Sequence, residues 1–270
     1  MNSPETGGRP FATPVTEYFG RLAATYGAGA YYKVRRVAVM RAIADEITRI
    51  HSILDLGCGN GAYTAEFAGV PEDRRLFGAD LSFEMLSEAR RRLGGKCRFV
   101  RTDAANLPFK AASFGLIFGS HVFPFVADLD AAVGEAARCL RPGGVLIATR
   151  HGEGGVRREL ARLIGAARWE EISAAIFRRA ARASRFAEGE RDDTRYRAAF
   201  AAAGLDFEER AAPFTVGWDD VAEWIRIRWM PVIPESERGA AERMIAEAGA
   251  AAAGRTFALH EPIALGRKPA

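Results

Sequence analysis

The sequence predicts an α/β protein built on a doubly wound, mostly parallel sheet, and three observations predict it. Short apolar runs alternate with helical stretches between about residues 37 and 149, the order that places helices on both faces of a parallel sheet. Successive runs carry a carboxylate at or near their ends, at Asp55, Asp80 and Asp103. The first run, Ile53-Leu54-Asp55-Leu56, breaks into Gly57-Cys58-Gly59-Asn60-Gly61 and restarts as a helix. Glycine lets the chain turn sharply there and lets a ligand reach the amides without meeting a Cβ.

In chain order, Val37, Met40, Ala44 and Ile47 recur at helical spacing, predicting a helix with one face on the sheet. Strands follow at Ile53–Leu56 and Arg75–Asp80, then a helix begins near Ser82. Its face is Leu86, Ala89 and Leu93, and Gly94-Gly95 ends it. A third strand runs from Cys97 to Thr102 and a fourth from Phe114 to Ser120, whose tip faces the expected acceptor entrance. Leu129, Val133, Ala136 and Leu140 mark another helix, with Arg138 and Arg141 favourable at its carboxyl end. Arg141-Pro142-Gly143-Gly144 then leads into a fifth strand, Val145–Thr149. A helical segment is expected from about Val156 to Phe186, and a sixth strand over Leu205–Arg210.

The glycine loop alone is ambiguous, because Gly57, Gly59 and Ala62 also fit the G-x-G-x-x-G/A dinucleotide pattern. Asp55 decides against phosphate: a carboxylate beside the helix start repels a pyrophosphate and suits a cationic cofactor. Asp80, at a strand tip, can accept both ribose hydroxyls, and Asp103 can accept an adenine amino proton.

These residues resemble the class I S-adenosylmethionine-dependent methyltransferases, in the branch containing quinone and small-molecule methyltransferases. The resemblance covers residues 15 to 150. It rests on D-x-G-x-G-x-G at Asp55 to Gly61, the acid Asp80, the pair Asp103-Ala104 followed by Asn106-Leu107-Pro108-Phe109, and Leu140-Arg141-Pro142-Gly143-Gly144. It implies a seven-stranded sheet whose antiparallel closing strand is Thr256–Lys268. It also implies a helical cap over 15–50 after a mobile tail at 1–14, and a helical insertion over 212–256 beside the acceptor site. The implied cofactor is S-adenosyl-L-methionine. Asp55, Gly57, Cys58, Gly59 and Gly61 would lie along its methionine end, with Tyr26 approaching from the cap. Asp80 would hold the ribose, Leu81, Asp103 and Ala104 would bracket the adenine, and Met85 and Ser120 complete the set. Two positions depart from the pattern: Gly115 stands where relatives carry an acid, and Pro124-Phe125 where many carry a histidine pair.

Around this centre, His121 follows the fourth strand tip, where a neutral imidazole could take a proton from the acceptor. His151, after the fifth strand, is the lesser candidate. Tyr18, Tyr31 and Trp224 are candidate acceptor-lining residues. Trp218, Val221, Trp224, Ile225 and Trp229 lie on or near one helical face, which reads first as packed core and alternatively as the wall of an acceptor pocket.

Composition narrows the classes. With 270 residues and 49% hydrophobic content, the chain can bury a substantial core. No apolar run nears the ~20 residues that cross a bilayer, and the first ten residues lack the apolar centre of a secretion signal. The expected location is the cytoplasm. Cys58, Cys97 and Cys139 have no metal-ligand or paired spacing, so neither zinc nor disulfides are expected. The net charge of +4 does not indicate a nucleic-acid partner, because Glu188, Glu190, Asp192 and Asp193 interleave with the arginines from Arg178 to Arg197. The expected function is methyl transfer to a small, partly apolar acceptor by a protein that could form a homodimer. The alternatives are a non-methylating reaction such as a cyclisation, and a non-catalytic cofactor-binding subunit.

Overall fold

The computed structural model describes residues 12–48, 50–68, 74–150 and 193–270, with a few isolated positions between 161 and 170. Most of the segment predicted as helix over 156–186, the arginines from Arg178 to Arg191, and His151 lie outside the described residues.

The sheet has seven strands in the order β3-β2-β1-β4-β5-β7-β6. They are β1 Ser52–Leu56, β2 Arg75–Asp80, β3 Arg98–Arg101, β4 Phe114–Ser120, β5 Leu140–Thr149, β6 Asp206–Gly217 and β7 Thr256–Arg267. The first five pair in parallel, whereas β7 runs antiparallel to both β5 and β6. Strand order reverses between β1 and β4, and a crevice opens at the carboxyl ends of strands at such a switch point. Every residue of β1 is buried, as expected of a central strand covered on both faces.

The helices are α1 Ala12–Leu22, α2 Ala30–Ala42, the single turn α3 Ala44–Ile47, α4 Thr64–Phe67, α5 Phe83–Leu93, α6 Leu129–Cys139, α7 Asp193–Ala202, α8 Trp218–Trp229 and α9 Glu235–Ala252. On α5 the Ser82 hydroxyl caps Met85 N–H, and Leu86, Ala89 and Leu93 are buried as the spacing predicts. On α6, Leu129, Val133 and Ala136 are likewise buried, with Asp128 as the cap. The first predicted face is out of phase. Val37 is exposed, and the buried stripe is Tyr31, Arg35, Val39 and Ile43; the helix also breaks at Ile43 before α3 restarts it.

The sixth strand exceeds its predicted span, continuing past Arg210 to Gly217. Ala212, Phe214 and Val216 are buried while Ala211, Pro213 and Thr215 are exposed, the period-two alternation of a half-buried strand. The region expected to be helical from residue 212 therefore begins as strand, and its helices start at Trp218. Pairing of β5 with β7 ends at Thr149↔Ile263, so Thr256–Pro262 and their β6 partners overhang the sheet's carboxyl edge. Two apolar clusters cover the sheet. A third, containing Tyr31, Tyr32, Phe214, Trp224, Ile225, Ile245 and Phe257, joins the overhang to α2, α8 and α9.

Candidate active site

Leaving β1, the chain takes three left-handed steps, at Gly57 (φ 66°), Gly59 (φ 54°) and Gly61 (φ 79°). These glycines serve different ends. A Cβ on Gly57 would lie 2.6 Å from the Val122 side chain, and one on Gly61 would lie 2.8 Å from Leu93. Both are required by packing. A Cβ on Gly59 would have Met85 Sδ as its nearest atom, at 3.8 Å, and Gly59 lines the cleft above the strand tips.

Hydrogen bonds fasten this loop on two sides. Cys58 N–H donates to Ala79 O at 3.0 Å, and Gly59 N–H to Asp80 Oδ2 at 2.8 Å. Buried Asn60 donates through Nδ2 to Ala23 O at 2.9 Å and Tyr26 O at 2.6 Å, tying the loop to the turn after α1. Asp80 Oδ1 also accepts Ser82 N–H at 2.9 Å, which leaves each carboxylate oxygen a second acceptor site. Burial pushes the Asp80 carboxyl upward, against the hydrogen bonds from Ser82 and Gly59. Asp103 Oδ1 is held by Ala105 N–H at 2.9 Å.

The cleft is about 890 Å³ including its open mouth. Tyr26, Gly57, Gly59, Asp80, Leu81 and Met85 line it together, with Asp103, Ala104, Ser120 and His121 opposite. Cys58 and Asp55 instead face an adjoining cavity of about 460 Å³, which shares Tyr26, Gly57, Gly59 and Ser120 with the cleft. Gly61 lines neither and acts through packing. The buried Cys58 thiol is pushed well above its ordinary range by desolvation and by Asp80 and Asp55, the opposite of a reactive thiolate. Burial raises the Asp55 carboxyl to about 7, with Thr64 Oγ1 donating to it at 2.5 Å and working the other way.

Two site residues were absent from the sequence-based set. Arg35, only 7% exposed, lines the smaller cavity along with Asp55. Its Nε makes no hydrogen bond among the described residues, and its guanidinium lies 5.3 Å from the Tyr32 ring centroid. Burial opposes its charge, yet Glu261 and the neighbouring tyrosines hold its pKa well above the ordinary range. The second is Glu261 on β7, 2% exposed, whose Oε1 meets His121 Nε2 in a short contact. His121 itself has φ 54°, a left-handed conformation uncommon outside glycine and found at functional sites. Signals for both residues lie in the sequence. Arg35 follows Tyr31 by four residues on the buried helical stripe, and Glu261 falls in phase with Phe257, Leu259 and Ile263 on a period-two apolar face.

Three candidate acceptor-lining residues are placed elsewhere. Trp224 is 2% exposed and stacks on Tyr31, with ring centroids 5.1 Å apart. Both belong to the apolar cluster under the overhang and line neither cavity. Tyr18 is buried, its hydroxyl donating to Arg228 O at 3.2 Å. Phe19 and Phe125, in edge contact at 5.2 Å, wall the cleft beside Tyr26. Trp224→Ala is accordingly expected to cost about 3–5 kcal/mol of stability. Thermal unfolding should show the loss, while the dissociation constant for S-adenosylhomocysteine stays unchanged.

Among the described residues no helix is long and apolar enough to cross a membrane, and no group of three His, Cys, Asp or Glu side chains could hold a metal. Arginines of the basic run that can be described are in ion pairs, Arg195 with Asp130 and Arg197 with Glu209.

Comparison with known proteins gives the same outline. A family profile described as a methyltransferase domain matches residues 54–148. The malonyl-[acyl-carrier protein] O-methyltransferase of Legionella pneumophila is 34% identical over 102 residues, covering 37% of this chain and 36% of that protein. The demethylmenaquinone methyltransferase of Thermus thermophilus is 35% identical over 122 residues, covering 44% and 54%. The matches thus span between about a third and a half of these two relatives' own length. The crystal structure of YcgJ from Bacillus subtilis superposes with a TM-score of 0.57 at 20% identity, over 86% of this chain and 98% of that one, a likeness of fold. The glycine loop and the strand-end acids Asp55, Asp80 and Asp103 all fall inside the stretch that matches the methyltransferase domain, and the sheet carries the order 3-2-1-4-5-7-6 around them.

Proposed function

We propose that the protein transfers the methyl group of S-adenosylmethionine to a small, partly apolar acceptor. The observation that carries this reading is the presence of both Arg35 and Asp55 in the lining of one small cavity adjoining the cleft. A buried cation and a buried acid in one lining suit the carboxylate and ammonium of an amino-acid zwitterion, and Asp55 would repel the pyrophosphate of a dinucleotide. The cofactor, when bound, supplies an electrophilic methyl group on a sulfonium centre.

The chain's residues would divide the remaining work. Arg35 and Asp55 hold the amino-acid end, Asp80 accepts from the ribose hydroxyls, and Leu81, Met85 and Ala104 enclose the base beside Asp103. Phe19, Val122 and Phe125 exclude water and favour a flat or apolar acceptor. His121, at the wall of the cleft, takes the acceptor's proton. Holding both reactants in line contributes more than the base, because near-attack alignment can supply ~7 to 11 kcal/mol.

Calorimetry with S-adenosylmethionine, S-adenosylhomocysteine and NAD tests the reading, with Asp80→Ala as control. Both adenosyl compounds should bind, and more weakly to the variant. Silence with both, or preference for NAD, would overturn it. Product mass then separates methyl transfer from a rearrangement, since only the former adds a methyl group.

A further inference from the structure

His121 and Glu261 come from opposite ends of the chain, and the antiparallel direction of β7 brings them together. Because β7 overhangs the carboxyl edge, Glu261 reaches over the tip of β4, two residues beyond the last residue paired with β5. Both side chains are buried, at 6% and 2% exposure, and the imidazole Nε2 meets the carboxylate. His121 also faces the cleft, whereas Glu261 does not. The imidazole thus stands between the cleft and the carboxylate, and the charge of Arg35, in the lining of the smaller cavity, is felt at Glu261.

A buried acid is costly unless paired and hydrogen-bonded, and one arginine would satisfy that need without any histidine. Its contact with the imidazole has a chemical consequence. A carboxylate accepts, so Nε2 carries the proton and Nδ1 becomes the basic nitrogen. The left-handed backbone at His121 is a local cost that accompanies this ring placement.

We infer that Glu261 is the positioning residue for His121, fixing the imidazole tautomer and stabilising the imidazolium formed during turnover. This rests on the proposed methyl transfer to a protic acceptor. As the acceptor's X–H bond breaks, its proton passes to Nδ1, and the electron pair left on X forms the new bond to carbon. The carbon–sulfur pair stays with sulfur, and the imidazolium returns its proton to water. Glu261 remains ionised, with the charge of Arg35 near enough to favour the anion. The other groups set around the pair are Tyr63, from the turn before α4, and Tyr32 on α2, both adjoining Arg35. Ser120 and Thr149 share a hydrogen bond at 3.2 Å on the sheet side, and Arg150 is committed to Glu209 at 2.6 Å.

Imidazole nitrogen NMR on histidine-labelled protein tests this without an acceptor, with His121→Asn identifying the signal. In the wild type the His121 ring should be the Nε2–H tautomer. In Glu261→Gln, which keeps shape but loses charge, the midpoint of its titration should fall by about one pH unit or more. An Nδ1–H tautomer in the wild type, or unchanged midpoints, would overturn the assignment. Should Glu261→Gln fail to fold, the wild-type tautomer decides alone. Failure of the wild type to bind S-adenosylhomocysteine would instead refute the cofactor reading, leaving the dyad's tautomer to be judged on its own spectrum.

Discussion

Gly59→Leu is expected to fold and to lose cofactor binding entirely, while Gly61→Leu is expected to fail at folding. Both positions have positive φ, so each variant carries the left-handed penalty of roughly 1–2 kcal/mol. They differ in what the side chain meets. At Gly61 it enters packed interior, with Leu93 at 2.8 Å and Ala89 at 3.2 Å from the first added carbon, and overpacking of that kind typically adds about 1–3 kcal/mol. At Gly59 the nearest atom is 3.8 Å away, and the side chain extends into the cleft. Circular-dichroism melts and calorimetry with S-adenosylhomocysteine separate the two outcomes. Ordinary affinity in a folded Gly59→Leu variant would refute the placement of the cofactor.

The second large effect runs in opposite directions on stability and binding. Asp55→Asn should stabilise the empty protein near pH 8 and weaken cofactor binding. Burial raises the Asp55 carboxyl from 3.8 to about 7, so the folded state favours the protonated acid. The contribution to stability is full below about pH 4 and is lost as pH rises through 7. By pH 8 the loss is of order 2–4 kcal/mol. An amide of the same shape avoids that loss and can still accept from Thr64. The cofactor's ammonium would restore the anion's partner, so wild-type affinity should rise between pH 6 and 8. In the variant affinity should be lower by at least about tenfold and nearly independent of pH. Melting curves at pH 5 and 8, with titrations at both, read all three expectations. A variant that melts below the wild type at pH 8 would show that Asp55 is a structural anion and not a binding one.

Much of this site was legible because local chemistry dictates it. A glycine run after a buried strand and acids at strand tips follow from backbone geometry within a few residues, and Gly57, Asp80, Asp103 and Ser120 all meet in one cleft. The parallel order could be read from alternation, and the closing strand from its resemblance. What was hidden depends on contacts far apart in sequence. Glu261 and His121 are 140 residues apart, and only the overhang of β7 joins them. Trp224 carried the composition of a pocket wall but stacks on Tyr31, since a helical apolar face does not specify whether protein or ligand covers it. The face of α2 was misread because apolar residues occupy both sides of it, Val37 exposed and Val39 buried, and the break at Ile43 is one that periodicity alone carries straight through.

The overhanging hairpin divides the labour of the chain along its length. Residues that line the cleft lie largely between 56 and 127, inside the segment shared with relatives. The β6–β7 projection and its two helices lie after residue 205, beyond that segment, and have an apolar cluster of their own. The cleft and the hairpin that overhangs it are thus written in separate stretches of sequence. Glu261 is the exception, a hairpin residue that meets the cleft-lining His121, and it ties the one stretch to the other.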